Sequence, residues 1–480
     1  MIRRLTSSAV ALAAVLAVLA APATLAAQAP PKPAVAPERQ FAPPPRAERT
    51  LPNGLRVIAV QYGTVPKTSV ILTIQSGLAV DPADKAGLAQ FVADAAQEGT
   101  TTRDSEQLKR EVFGMGATLS GFAGQDASTF QMRGLSATLG EMLALVADVV
   151  RNPTFPQGEI DLLKANAAQA LKAQLASPQF VNLRTFRREL FGDHPYARIG
   201  PTEATLAAID RAAIVQYHKT YYRPNNAFLV VVGNQAPEAV FAAAEKAFGA
   251  WARGDVPAVR APELPTLTGR RLVFVQRPGS VQSSISVGNF SIRRNDPRWY
   301  TLQLANQIYG AAFDSRLVRN IREEKGYTYS PQSQFQAMAH GGLYRAVADV
   351  RNEVTGAALK EVYKEIDLLR ASGPYDDELV NAKTYARGVF VIQNATQAGF
   401  ANTLNMVHTN GLAPDYPETY QRQISQPSGE MVKTGAQMLL GSDDSLVVIV
   451  RDYRQVKDQL TGFTNIRFLD INGNPIPEPQ

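Results

Sequence analysis

LRVIAVQYGTVPKTSVILTIQSG, residues 55–77, and RLVFVQRPGSVQSSISVGNFSI, residues 271–292, are two versions of one unit. Each reads as strand, short Gly- or Pro-bearing turn, strand, and each carries Val-Gln just before the turn, Val60-Gln61 in one and Val275-Gln276 in the other. The likeness extends outward. NAFLVVVGN (226–234) and DSLVVIVRD (444–452) are matching continuous apolar runs of strand length that close the two stretches. Between the strands, apolar residues recur at helical spacing: Leu139, Met142, Leu143, Leu145 and Val146, and again Leu359, Val362, Tyr363, Ile366 and Leu369. The expected fold is therefore α+β, with two homologous lobes, each a mostly antiparallel sheet covered by helices.

A chain of 480 residues with 45% hydrophobic and 19% charged residues has room for two such domains. Residues 1–27 read as a signal peptide: a basic start at Arg3 and Arg4, an apolar run, then small residues at the cleavage point. Residues 28–46 form a Pro/Ala-rich leader, expected to be extended and unpacked. The N-terminal lobe is assigned to 47–254, a Pro-rich linker to 255–267, the C-terminal lobe to 268–471 and a tail to 472–480. The expected destination is export to a periplasm of the Gram-negative type as a soluble protein. No membrane span is expected in the mature chain, because no later apolar run reaches the roughly 20 residues a bilayer needs. There is no cysteine, so no disulfide contributes. Loss of Arg3 and Arg4 lowers the formal charge from +6 to +4, and no basic run interleaved with aromatics occurs, which argues against a nucleic-acid partner.

GLAQFVADAAQEGT (87–100) and the helical stretch 155–178 carry the chemical question. Around them stand PNGLRV (52–57), Gly99-Thr100, GATLSG (116–121), HPY (194–196) and YYRPNNAFLVVVGN (221–234). The second half adds SRLVRNIREEKGYTYS (315–330), DELVNAK (377–383) and GLAPDY (411–416). In order and spacing, these fragments resemble the insulinase and pitrilysin family of metallopeptidases from about residue 50 to 470. The segment 87–100 looks like the family's helix bearing the inverted zinc motif H-x-x-E-H, whose two His bind the metal while the Glu activates water. Here Gln90, Ala93 and Asp94 stand at those positions, and Gln169, followed by Ala170, stands where the third ligand, a Glu, would fall. Gln is a poor zinc ligand, Asp alone cannot hold the ion and Ala cannot take a proton. His194, His218, His340 and His408 show no ligand spacing and read as structural or surface imidazoles. No metal site or peptidase activity is expected of this chain alone. Gln90, Asp94 and Glu98, four residues apart, could instead line a polar wall or weakly hold a hard cation such as Ca²⁺. Neither a G-x-S-x-G elbow nor a Cys nucleophile offers another hydrolase.

The resemblance also implies what such a chain would do. In the family, homologous lobes face each other across a chamber, and some members split the work between a zinc-bearing chain and one that has lost zinc. The latter keeps an Arg and a Tyr seven residues apart that reach the partner's substrate; Arg322 and Tyr329 match, with Tyr327 as a competitor. The structural alternative puts Arg322 in ion pairs with Glu323 and Glu324, and Tyr329 in the core. Gly116, Ala117, Thr118, Leu119 and Ser120 match the family's edge strand, which binds extended peptides by backbone pairing. The expected partners are a homologous H-x-x-E-H chain, which holds the zinc, and peptide substrates. The alternative is a non-enzymatic scaffold or peptide-binding protein of the same fold.

Overall fold

The computed structural model describes residues 41–480 except 259–261, 440 and 442. The expected signal peptide and most of the leader lie outside the described residues. The N-terminal sheet comprises β1 (Arg46–Thr50), β2 (Arg56–Gln61), β3 (Lys67–Ile74), β4 (Thr118–Ala123), β5 (Ser128–Leu135) and β6 (Ala227–Gly233), in the order β1-β2-β6-β3-β5-β4. The C-terminal sheet comprises β7 (Arg270–Gln276), β8 (Gln282–Ser291), β9 (Gln332–Met338), β10 (Gly341–Arg351), β11 (Ser445–Arg451) and β12 (Arg467–Leu469), ordered β12-β7-β11-β8-β10-β9. The orders are equivalent, so the two fragments that open the sequence argument are β2–β3 and β7–β8. The central strands β6 and β11 are buried on both faces, which is why they read as unbroken apolar runs instead of alternating ones. Each pairs parallel on one side, with β2 or β7, and antiparallel on the other, with β3 or β8.

Seven helices carry the argument that follows: α1 (Leu88–Ala95), α2 (Leu139–Arg151), α3 (Gln157–Leu175), α4 (Pro178–Phe191), α5 (Thr355–Ser372), α6 (Asp376–Asn394) and α7 (Gln397–Thr409). One face of each sheet is covered by helices of its own lobe. α1, α2 and α3 pack over Val57, Val70, Leu72, Leu229 and Met132, and α5 and α6 share the core of Phe274, Ile285 and Ile449.

The opposite faces are covered by exchanged helices. Val181, Phe186 and Leu190 of α4, from the first lobe, pack on Val273, Val275, Val448 and Val450 of the second sheet. Reciprocally, Phe400, Ala401 and Leu404 of α7 pack on Ile58, Val60, Ile71 and Val230 of the first. Each exchanged helix adds an asparagine. Asn182 of α4, 1% exposed, donates to the Ser284 and Val448 carbonyls at 2.8 and 3.1 Å and accepts from the Ser286 hydroxyl. Asn405 of α7 accepts from Thr73 Oγ1 at 2.6 Å. Asn182→Ala strands these buried partners, and a loss of about 2–3 kcal/mol in urea unfolding is expected. A loss below 0.5 kcal/mol would mean that water reaches the site.

The end of the leader departs from the expectation of an unpacked segment. Phe41 sits edge-on to Phe390 and Phe400, its N–H donates to Gln421 at 2.7 Å, and Arg46 pairs with Glu418 at 2.8 Å. An aromatic side chain in a Pro-rich stretch found an apolar slot between lobes. Likewise Ile476 N–H bonds the Phe468 carbonyl, tying the last residues to β12. Among the described residues, no helix is long and apolar enough to cross a membrane.

Candidate functional site

α1 begins at Gly87, whose φ of +98° is a left-handed conformation that suits glycine. Asp81, buried, accepts from the Gly87 and Ala89 N–H groups at 2.8 and 2.9 Å and so fixes the first turn. Apart from Gln90 and Asp94, the helix is apolar all round, and Leu88, Ala89, Phe91, Val92, Ala93 and Ala95 are buried.

These two polar residues form a closed bridge. Gln90 Nε2 donates to Asp94 Oδ1 at 2.8 Å, while Gln90 Oε1 accepts from the Ala123 N–H of β4 at 2.9 Å. The amide that stands at the first motif position is thus spent on tying the helix to the edge strand. Ala93 is fully buried. On α3, Gln169 is exposed, and the stripe turned to the core is Ile160, Leu163, Ala167 and Leu171, none able to ligate. Glu98 belongs to a separate cluster, accepting from Ser105 Oγ and from Lys109 Nζ at 2.8 Å. Among the described residues no three His, Cys, Asp or Glu side chains converge, so the residues present do not fit zinc; of the acidic stripe, the Gln90 carbonyl oxygen is engaged by Ala123 and the Glu98 carboxylate by Ser105 and Lys109.

Burial raises the Asp94 carboxyl to about 6, with the nearby Glu98 charge adding and the Gln90 hydrogen bond opposing. A folded-state value above the ordinary one means that the charged form disfavours folding: stability is full at low pH and is lost as pH rises through about 6. Asp94→Asn keeps an acceptor for Gln90 and removes the charge. It is expected to stabilise the chain by roughly 2 kcal/mol at pH 7.5 and by little at pH 4, read by urea unfolding. Equal effects at both pH values would count against a strained carboxylate.

Among the described residues, β4 is the outer strand of its sheet and pairs with one strand, β5. Gly116, with φ +58°, and Ala117 make the turn into it, while Thr118, Leu119 and Ser120 lie on the strand. Because the Ala123 N–H faces Gln90, the alternation of a strand turns the backbone groups of Leu119 and Gly121 to the same open side. α7 covers the sheet only over β2, β6 and β3; at the β5–β4 end Phe122 and Leu135 remain 45% and 49% exposed.

Arg322 lies in Val318–Glu324, a wide π-type turn in which Lys325 N–H reaches back to the Asn320 carbonyl at 3.0 Å. Its guanidinium carbon stands 4.5 Å from the centre of the Tyr329 ring and 4.8 Å from that of Phe313. The structural alternative for the pair fails on both counts. Tyr329 is 77% exposed, not core, and Arg322 is held by ring faces, with no carboxylate at ion-pair distance among the described residues. Tyr327, by contrast, packs against the core of its lobe.

The four histidines stay apart from this chemistry. His218 Nε2 meets the Val150 carbonyl at 2.8 Å, His408 Nδ1 meets Arg56 at 2.8 Å, and His194 Nδ1 accepts from the Tyr196 N–H at 3.1 Å. The HPY fragment proves to be a lobe junction: the Tyr196 hydroxyl donates to Asp126 at 2.5 Å and accepts from the His340 N–H at 3.0 Å. Only the buried hydroxyl of a Tyr beside an Asp signals this, and that pairing is not visible in sequence.

Residues 208–385 match the family described as "Peptidase M16 inactive domain", and residues 56–199 the one described as "Insulinase (Peptidase family M16)". The chain is 22% identical over 409 residues to the uncharacterized zinc protease YmxG of Bacillus subtilis, a match covering 80% of this chain and 98% of that protein. It is 25% identical over 395 residues to an uncharacterized zinc protease of Mycobacterium bovis, covering 82% and 90%. Among solved structures, the peptidase M16 inactive domain from Pseudomonas fluorescens superposes with a TM-score of 0.79 at 25% identity, covering 85% of this chain and 98% of that one. The periplasmic protease PqqL from Escherichia coli shares the fold at a TM-score of 0.72 and 19% identity, covering 87% of this chain and 48% of that one. With two equivalent lobes, the order of strands in each and both halves matched, the chain belongs to the insulinase family, peptidase family M16.

Proposed function

We propose that the chain is the non-catalytic subunit of an exported two-chain zinc peptidase. It contributes half of the chamber, the β4 edge and the Arg322 and Tyr329 side chains to a homologous partner that carries H-x-x-E-H and zinc. The observation that carries this reading is the contrast between two places. At Gln90–Asp94 the motif has become a closed hydrogen-bonded bridge, whereas Arg322 and Tyr329 are stacked together on the surface, their donors unspent on the core. A cation held by ring faces keeps its N–H groups available, and an exposed tyrosine keeps its hydroxyl. Supplied from across a cleft, both suit a substrate carbonyl or the oxyanion that forms on it. The periplasmic neighbour supports an exported location.

The test is cleavage of a quenched fluorescent peptide by the chain alone, by a homologous H-x-x-E-H chain alone and by the co-purified pair. The expected result is a stable pair that is more active than the partner alone, with no activity from this chain. Zinc-dependent cleavage by this chain alone, or a pair no better than the partner, overturns the reading. The open β4 edge favours a second reading, a peptide-binding protein without a catalytic role. In that case Arg322→Ala leaves peptidase activity untouched.

A further inference from the structure

Where the turn between α6 and α7 meets the open end of the first sheet, a groove of about 610 Å³ lies against the beginning of β4. Its lining contains two cations, Lys67 and Arg133, and no carboxylate. Thr118 and Thr396 also line it, together with apolar surface from Val65 and Leu135. Both cations are exposed, and Arg133 spends one N–H on Gln131 at 3.2 Å, leaving the rest of its fork for an occupant. A mixed apolar wall with a concentrated positive charge fits a chain end that is apolar except for one anion.

The direction of β4 supplies the rest. The strand starts at Thr118, in the groove, and ends at Ala123, beside Gln90. A peptide added antiparallel, the more stable pairing, runs from Ala123 toward Thr118 along the open backbone of Gly121 and Leu119. Its C-terminal end is then delivered into the groove. We infer that the groove is a seat for the C-terminal carboxylate of an extended peptide bound along β4, with Lys67 and Arg133 as the groups that recognise it. The inference rests on the peptide-binding role of β4, but not on the catalytic role of Arg322.

The experiment measures binding of an N-terminally fluorescein-labelled apolar decapeptide to the purified mature chain by fluorescence anisotropy. Three forms are used: the free acid, the C-terminal amide, and the amide with a penultimate Glu. The acid should bind about tenfold or more tightly than the amide, the range of a hydrogen bond to a charged group. The preference should disappear in Lys67→Met/Arg133→Met, and raised salt should narrow it. Both substitutions fall on exposed side chains, and urea unfolding of the variant checks that it folds as the parent does. If acid and amide bind alike, the carboxylate seat is overturned while the β4 reading survives. If the Glu-bearing amide binds as well as the acid, the groove reads acidic side chains, and specificity for a chain terminus is overturned. If no form binds, both the seat and the β4 reading fall. Leu119→Pro, which blocks pairing at the edge, should weaken acid and amide equally.

Discussion

Arg322→Ala should lower kcat of the assembled pair by about 10²- to 10³-fold while leaving pair formation intact, the scale seen when one donor to a developing oxyanion is lost. The argument is geometric. Among the described residues, the Arg322 guanidinium rests on two exposed rings and joins no ion pair, so removing it should cost the fold little. Whatever its removal costs must be charged to something outside the chain. Arg322→Lys keeps the charge but loses the planar fork and the stacking, so an intermediate loss is expected. Tyr329→Phe, which retains the ring under the guanidinium, should cost about tenfold through its hydroxyl alone. The discriminating readout is the division between kcat and KM. A fall in kcat with KM unchanged marks an interaction made in the transition state, and a rise in KM alone marks substrate holding. Unchanged kinetics in all three variants would remove the catalytic part of the proposal and leave a binding or scaffold protein.

Much of this architecture was legible in sequence because it is written twice. Repetition of strand, turn, strand with Val-Gln before the turn, together with two closing runs, identifies equivalent sheets without any knowledge of pairing. The edge position of β4 was likewise legible, through the resemblance at GATLSG. The exchange of α4 and α7 was not. Apolar periodicity tells that a helix has a face to bury and says nothing of which sheet receives it; the one local hint is an asparagine, Asn182 or Asn405, placed among apolar neighbours. The setting of Arg322 was missed for a different reason. Two adjacent glutamates offered ion pairing as the alternative to a functional role, and nothing in the sequence pointed to the wide turn through Val318–Glu324 that sets Arg322 against Phe313 and Tyr329. Register within one turn of irregular helix is beyond what composition specifies. The same holds for the cationic groove, whose Lys67 and Arg133 are 66 positions apart and meet only because β3 pairs with β5.

His408→Gln should tilt the pH dependence of stability, and in the opposite direction to Asp94→Asn. His408 is held between the Phe228 ring, 5.5 Å away, and the Arg56 guanidinium, which donates to Nδ1 at 2.8 Å. Burial first, then the charges of Arg56 and Arg46, depress its titration to about 4, and the Glu48 carboxylate stands 3.9 Å from Nε2. His218 is likewise lowered to about 4, chiefly by burial, against its bond to the Val150 carbonyl. A folded-state value below the ordinary 6.5 means that protonation favours the unfolded chain: stability is full above 6.5 and is lost as pH falls toward 4. Each histidine carries on the order of 3 kcal/mol across that window. Asp94 runs the other way, and so does Asp81, which burial pushes up to about 7 against backbone hydrogen bonds from Ala89, Gly87 and Leu88 and the charge of Arg198. Terms of opposite sign and similar size should leave the parent chain with a shallow profile between pH 4 and 7. The variants separate them. His408→Gln costs about 1–2 kcal/mol at pH 7.5 from the lost packing and Arg56 contact, and that deficit should vanish or reverse by pH 4, where the parent has itself paid for protonation. A deficit that is the same at both ends of the range would show that His408 titrates near its ordinary value, and that Arg56 is not holding a neutral ring.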